Sequence, residues 1–398
     1  MKKLTLSLSL LAGAGLIIAS CSDDDNNNST TPVTKSEVVA NYANIVYQNY
    51  KDAYNDAVEL EEAINAFTAT PTAAGFDVAK TKWKEARESY GTTEAFRFAN
   101  GPIDDENGPE GLINAWPLDE NYIDYVAGQN GIVNGGIINS TDAALSVIDK
   151  DLLMSLNEDG GEKNISTGYH AIEFLLWGQD LTAPAEKKAG LRSYTDYVDG
   201  TTGTTITNQA RRRDYLNAVA DLLTDNLAYL VDQWKEGGEY RTTFFALTDD
   251  AALQNIYLGI ATLASAELAV ERMDVALTNM DQEDEHSCFS DNTHRDIYLN
   301  FKGVENVYQG TYGTIDGPSL ADLVAQASKK FADDTNAAFN ETEADITAIA
   351  IPFDFAISGG ASSTEGAKVK KAVVALKDKV GPNLLAGAAA LGITVSIE

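Results

Sequence analysis

The sequence predicts an all-α protein, two related helical subdomains of the four-helix-bundle kind, with long irregular connections and a site at their interface. Three observations carry that prediction. Apolar residues recur at helical spacing from residue 36 onward; strand-like alternation is confined to short stretches such as residues 346–355; and a Gly- and Thr-rich break over residues 196–208 divides the helical runs into two halves.

The chain opens on Lys2 and Lys3, an apolar run and then Ile18, Ala19 and Ser20 ahead of Cys21, the three-part layout of a secretory signal. The run is short for a membrane span. Small residues directly before a cysteine resemble the lipobox of bacterial lipoproteins, which makes residues 1–20 a cleaved signal and Cys21 the lipidated first residue. Residues 21–35 are polar and of low complexity, too poor in apolar surface to order themselves, and read as a tether. The acidic run beside the lipid resembles surface-export signals, so the expected location is the outer membrane, lipid-anchored and facing the cell exterior, with a periplasm-facing anchor as the alternative. Only Cys288 remains after lipidation, which leaves no internal disulfide.

A formal charge of −31 disfavours nucleic acid and anionic membrane surfaces, so the lipid is the only membrane contact expected. At 44% apolar content the chain supports a large core. The first bundle, residues 36–205, begins with a helix over 36–67 carrying Val38, Val39, Tyr42, Ile45, Val46 and Tyr50, with Ser36 as its N-cap. The Thr70-Pro71-Thr72 run ends it, and a second helix follows over 76–99 through Trp83, Ala86, Tyr90 and Phe96. Residues 100–140 are too irregular for long helices and too long for an idle connection. Helices resume over 142–156 and 166–177. The second bundle, residues 206–398, holds helices over 208–234, 249–276, 295–300, 320–341, 365–380 and 383–391.

The chemistry is concentrated in the run Gly168-Tyr-His-Ala-Ile-Glu-Phe-Leu-Leu-Trp-Gly, in a chain with only three histidines. On a helix His170 and Glu173 point to nearly one side, roughly 60° apart about the axis, and can converge on one ion or one proton. An unpaired carboxylate among Ile172, Phe174, Leu175 and Leu176 costs several kcal/mol or protonates, so Glu173 needs a partner. A buried hydrogen bond that organises the core and a metal or catalytic pair both meet that need. The other two histidines, His286 and His294, share an acidic segment over 281–296 whose spacing matches neither a zinc finger nor the zinc-peptidase His-Glu-x-x-His. Ser290 and Asn292 are candidate N-caps there. A faint internal echo joins Glu94 and Arg97, near the end of one long helix, to Ser265, Glu267, Glu271 and Arg272, near the end of another.

Gly168-Tyr-His-Ala-Ile-Glu, with Thr93-Glu-Ala-Phe-Arg-Phe, Trp116-Pro-Leu-Asp-Glu, Glu271-Arg-Met and the segment from Glu285 to Asp296, resembles the imelysin family of bacterial envelope proteins. The resemblance implies two related helical bundles with a site between them, and two functional labels: an insulin-cleaving metallopeptidase and a component of iron uptake. Carried onto this chain, it makes His170 a metal ligand and Glu173 a second ligand or an orienting carboxylate. Glu94 and Arg97 become a neighbouring ion pair, with Arg97 also able to hold Glu173 or a substrate carboxylate. Ser265, Glu267, Glu271 and Arg272 enter from the second bundle, and His286 and His294 from the acidic segment.

Peptide hydrolysis by zinc needs three protein ligands and a base, and one His with one Glu supplies at most two ligands. Oxygen-rich ligation with a single imidazole suits hard cations such as ferric or calcium ions at least as well as a catalytic zinc; a divalent or ferric ion is expected, and the iron-uptake label that the resemblance implies favours iron. The expected function is therefore binding of a metal ion or metal-bearing ligand, with envelope iron-uptake proteins as partners. The metallopeptidase is one alternative; a carbohydrate- or protein-binding module using the aromatic and acidic residues from Trp116 to Tyr125 is another.

Overall fold

The computed structural model describes residues 32–200 and 206–397. The signal, Cys21 and most of the expected tether lie outside the described residues. Helices dominate, as the periodicity predicts, and the only strands among the described residues form two short hairpins, Val126–Gly128 with Gly131–Val133 and Thr311–Tyr312 with Ile315–Asp316.

The first helix, Lys35–Ala69, is capped two residues before the expected position. Thr34, in place of Ser36, accepts from the Glu37 N–H at 3.2 Å, while Glu37 accepts from the Thr34 N–H at 2.9 Å, so two donors left over at the helix start are satisfied reciprocally. Its buried stripe, Val39, Tyr42, Val46, Tyr50, Ala53, Ala57, Leu60 and Ile64, faces the helices Ala73–Thr93 and Gln209–Trp234. Trp83 is fully buried, and its indole N–H donates to the Tyr169 carbonyl at 2.9 Å. That bond ties the second helix to Gly168–Trp177, a helix whose every residue is buried.

In the second half the helix starting at Asp249 is continuous to Asn279, but it widens into a π-helix over Leu263–Asp274. A second π segment, Leu376–Val380, lies against it. Ser328 splits the expected 320–341 helix into Leu320–Ala327 and Lys329–Thr347, capping the second through the Phe331 N–H. The alternating stretch 346–355 forms no strand: it is a helix end, a turn through Pro352 and the short helix Phe353–Ile357. Its alternation comes from a chain that dips into the core at Ile349 and Phe353 and surfaces at Ile351.

The helices Ala73–Thr93 and Thr293–Gln309, from opposite halves, make the contact that builds the site. They approach so closely that a Cβ on Gly303 would lie 2.5 Å from the Thr92 carbonyl oxygen. A glycine there lets the two backbones, and with them Arg87 and Asp296, come together.

Candidate functional site

His170 sits on the first turn of the Gly168–Trp177 helix. Gly168 adopts φ +81°, and a Cβ there would collide with the Ile113 carbonyl, so the motif glycine is set by local backbone geometry. Nδ1 of His170 lies 3.0 Å from Oε2 of Glu173. The other oxygen of Glu173 accepts from the Ser290 N–H at 2.9 Å and the Ser290 hydroxyl at 2.7 Å. Ser290 is thus not the helix cap expected of it. Both groups are almost wholly shielded, at 1% and 0% exposure.

Burial sets the protonation of this pair. It pushes the Glu173 carboxyl up to about 8 despite the Ser290 hydrogen bonds, and pushes the His170 imidazole down to about 3, aided by the positive charge of Arg87. His170 is neutral, and its Nε2 is buried with no hydrogen-bond partner among the described residues.

A second histidine stands against the first. The rings of His286 and His170 meet edge to face with centroids 4.6 Å apart, and the Trp116 ring packs on His286 at 5.8 Å. Nδ1 of His286 lies 2.9 Å from Oδ2 of Asp296, which also accepts from the Ser287 hydroxyl. The other oxygen of Asp296 accepts from Nε and Nη2 of Arg87 at 3.3 and 3.0 Å. Burial alone pushes the Asp296 carboxyl up, but Arg87, His286 and Ser287 together hold it well below the usual carboxylate range. His286 itself is depressed by burial and by the nearby Arg272.

From Arg87 the network continues without a break. Its Nη1 donates to Asn114 at 2.6 Å, Asn114 donates to Glu94 at 3.3 Å, and Glu94 accepts from Nη2 of Arg272 at 2.6 Å. Against the upward push of burial, Arg272 and Arg97 hold Glu94 down at about 2. Arg272 also donates to Asn300 and, at 3.3 Å, to Glu267. Glu267 accepts from Arg97 at 3.4 Å, and Arg97 lies 3.3 Å from Glu110. There the network reaches the surface, where Arg97 and Asp104 line a cavity of about 360 Å³.

The structure therefore brings His170, Glu173, His286, Glu94, Arg272, Glu267 and Arg97 into one chain of contacts. It corrects several assignments. Glu94 takes Arg272 as its ion partner in place of Arg97, and Arg97 contacts Glu110 and Glu267, away from Glu173. Ser265 abuts Gly381 at the crossing of the two π segments, and Glu271 points to solvent; neither joins the network. His294 turns away, bonded to the Asp291 carbonyl and lining a cavity of about 440 Å³ with Tyr298, Ile346, Ile351 and Phe353. Trp116 packs beside His286, and the Tyr122 hydroxyl donates to the Leu156 carbonyl.

Arg87, Asn114, Asp296 and Asn300 escaped the sequence reading. A signal existed for two pairs: Arg87 and Glu94 stand seven apart, and Asp296 and Asn300 four apart, so each pair shares a helix face. Asn114 comes from an irregular segment and carried no such mark.

Of the two roles open to Glu173, its geometry fits the orienting one. Both its oxygens are engaged, whereas His170 offers an imidazole nitrogen whose opposite nitrogen rests on a carboxylate, the usual posture of a metal-binding histidine. The ligand set is nevertheless incomplete for a peptidase zinc. Among the described residues, the group of three or more carboxylate, imidazole or thiol donors close enough to share an ion lies elsewhere, at Asp180, Asp291 and Asp354.

Fold and site together define an all-α protein in which a buried histidine-carboxylate network joins helices far apart in the chain. The chain belongs to the imelysin family, whose model, named for a peptidase, matches residues 46–380. It is similar to iron-regulated protein A of Synechococcus elongatus, with 24% identity over 311 residues, 75% of this chain and 69% of that protein. A crystal structure from Parabacteroides distasonis, described as an iron-regulated protein A precursor, shares the fold with a TM-score of 0.65 at 18% identity, covering 91% of this chain and 97% of that one.

Proposed function

We propose that this chain is a cell-envelope protein of iron acquisition that binds a metal ion, or a ligand bearing one, through Nε2 of His170. The observation that carries this reading is that nitrogen: buried, without a partner among the described residues, and backed on the opposite side of its ring by Glu173. With its carboxyl raised to about 8, Glu173 holds a proton toward Nδ1 at neutral pH; a metal binding at Nε2 would expel one proton, leave Nδ1–H donating to the Glu173 carboxylate, and supply the charge this neutral ring lacks. Iron is favoured because similar proteins are named for regulation by iron. The metallopeptidase reading has less support. A catalytic zinc is usually held by three protein ligands beside an open position, and Glu173, with both oxygens engaged, is poorly placed to act as a general base.

The leader sequence supports attachment to the outer membrane through a lipid on Cys21, at the cell surface. The two helical halves, dividing near residue 205, would then hold the site between them, with Glu267, Arg272 and Asn300 reaching from the second half to Glu94 in the first.

The test is titration of ferrous, ferric and zinc ions into the purified protein. A single site weakened by His170→Ala is the expected result, and equal affinity in that variant rejects the reading. Chelator-sensitive cleavage of unstructured peptides, lost in Glu173→Gln, would replace it with the peptidase.

A further inference from the structure

We infer that Asp180, Asp291 and Asp354, with Glu285 behind them, form a second and separate cation site, selective for a hard divalent ion of the calcium class. One carboxylate oxygen from each aspartate lies within 4.8 Å of those of the other two. They come from three places: Asp180 just past the helix Gly168–Trp177, Asp291 in the loop before Thr293–Gln309, and Asp354 in the short helix Phe353–Ile357. An acidic cluster alone is common on a protein this negative. Three further observations set this one apart.

The first is orphaned, buried oxygen. Asp180 and Asp354 are 3% and 2% exposed. Oδ1 of Asp180 accepts from the Thr182 N–H at 2.9 Å, and Oδ1 of Asp354 from the Phe355 N–H at 2.5 Å, which fixes both carboxylates. In each, Oδ2 is buried with no partner among the described residues. Glu285, 1% exposed, lies beside Thr293, and neither of its oxygens makes a well-formed hydrogen bond.

The second is the lack of a direct ion pair. None of the four acids forms one among the described residues. Lys84 and Lys187 act on Asp291 and Asp354 only from a distance: Lys84 donates to the Ser290 carbonyl at 3.2 Å, and Lys187 stands 3.9 Å over the Phe355 ring. Buried carboxylates without a counter-charge are costly, and a metal ion is the usual remedy.

The third is the donor set. It contains oxygen alone, three carboxylates and no imidazole or thiolate, which suits calcium and disfavours zinc, copper or ferrous iron. The site also has a role that its position defines. Glu285 and Asp291 bracket His286, Ser287 and Ser290, the loop residues that hold Asp296, Glu173 and the face of His170. A cation bridging Asp291 to Asp180 and Asp354 clamps that loop.

Calorimetric titration of calcium into the chelator-stripped protein, with thermal melting alongside, tests the proposal. One equivalent of calcium and a higher Tm are expected for the native sequence and for His170→Ala; both effects should be lost in Asp180→Asn and Asp354→Asn. Each Asn variant should melt, in chelator, at or above the stripped parent, because the substitution removes repulsion; this separates a lost ligand from a lost fold. Absence of calcium binding in the parent, undiminished binding in both Asn variants, or its loss in His170→Ala would overturn the proposal. Since the last variant alone addresses His170, failure here leaves the iron reading standing, and the reverse.

Discussion

His170 and His286 meet edge to face from opposite halves of the chain, 4.6 Å between ring centroids, and each rests its Nδ1 on its own carboxylate. The two carboxylates differ in kind. Asp296 is held ionised by the guanidinium of Arg87, whereas Glu173 has no cation against it and burial pushes its carboxyl up to about 8. One imidazole is thus locked against a fixed charge, and the other shares a proton that can move.

That asymmetry predicts the behaviour of Glu173→Gln. An amide can still accept from Ser290, but the group it turns toward His170 is an N–H donor that, unlike the carboxyl, cannot give up its proton, so the imidazole proton stays on Nε2 and blocks the lone pair. Metal affinity should fall by about 10- to 100-fold, the usual effect of removing a carboxylate behind a metal-binding histidine, with little change in Tm. Calorimetry beside His170→Ala checks it; full affinity in Glu173→Gln would mean that Nε2 is not the ligand atom.

Arg87 and Asp296 form an ion pair at 0% exposure on both sides. Removing one member leaves the other charged and unpaired in the core, which costs about 3–5 kcal/mol. Arg87→Met should lower denaturant stability by that order and also free Asn114 from its bond at 2.6 Å. Exposed pairs such as Lys329 with Asp333 give the contrast: Lys329→Met should change stability by less than about 1 kcal/mol. Urea unfolding of both variants separates the two cases.

These residues also mark what the sequence discloses. Helical periodicity exposes the long helices, because each must bury an apolar stripe, and the pair His170 and Glu173 is visible because three residues on a helix subtend a small angle. Contacts between halves are not visible in this way. Nothing local says that Arg87 faces Asp296, or that Glu94 takes Arg272 over the closer Arg97; the crossing of two helices at Gly303 decides the first, and the π-helix over Leu263–Asp274 helps to decide the second. The Ser328 break is a capping event that an otherwise continuous apolar pattern conceals. His294 misled by adjacency: it stands two positions from Asp296, yet on a helix that spacing points the two side chains apart.

The glycine that opens the motif is a structural requirement with a predictable cost. At φ +81° a side chain is strained, and a Cβ on Gly168 would also strike the Ile113 carbonyl. Gly168→Ala should destabilise the fold by at least about 1–3 kcal/mol, the scale of a single strained backbone position, and displace His170 with the helix start. Thermal melting gives the first effect and metal titration the second; a variant with unchanged Tm would show that the backbone relaxes around the added methyl.

Acid stability follows from Glu94 and Asp124. Burial pushes both carboxyls up, but Arg272 and Arg97 hold Glu94 down at about 2, and Arg192 and Arg212 hold Asp124 down at about 2, with Arg212 donating to both its oxygens at 2.7 and 2.8 Å. A carboxylate whose folded value lies below its unfolded value binds fewer protons when folded. Its stabilisation is complete above roughly pH 5 and is lost as the pH falls toward about 2. Each group contributes on the order of 3 kcal/mol at about 1.4 kcal/mol per pH unit of displacement. Glu110 works in the opposite sense: burial raises its carboxyl to about 7 over the counter-pull of Arg97, so the folded state holds a proton that the unfolded state releases, and stability declines between roughly pH 4.5 and 7. In the presence of chelator, stability should therefore peak on the mildly acidic side of neutrality and fall steeply below pH 4. Glu94→Gln should flatten the acid limb while lowering the plateau, because it removes the titration and the ion pair together. Asp124→Asn should do the same, and Glu110→Gln should flatten only the neutral limb. Urea midpoints measured from pH 3 to 8 resolve both limbs; an acid limb unchanged in both Glu94→Gln and Asp124→Asn would mean that other carboxylates set it.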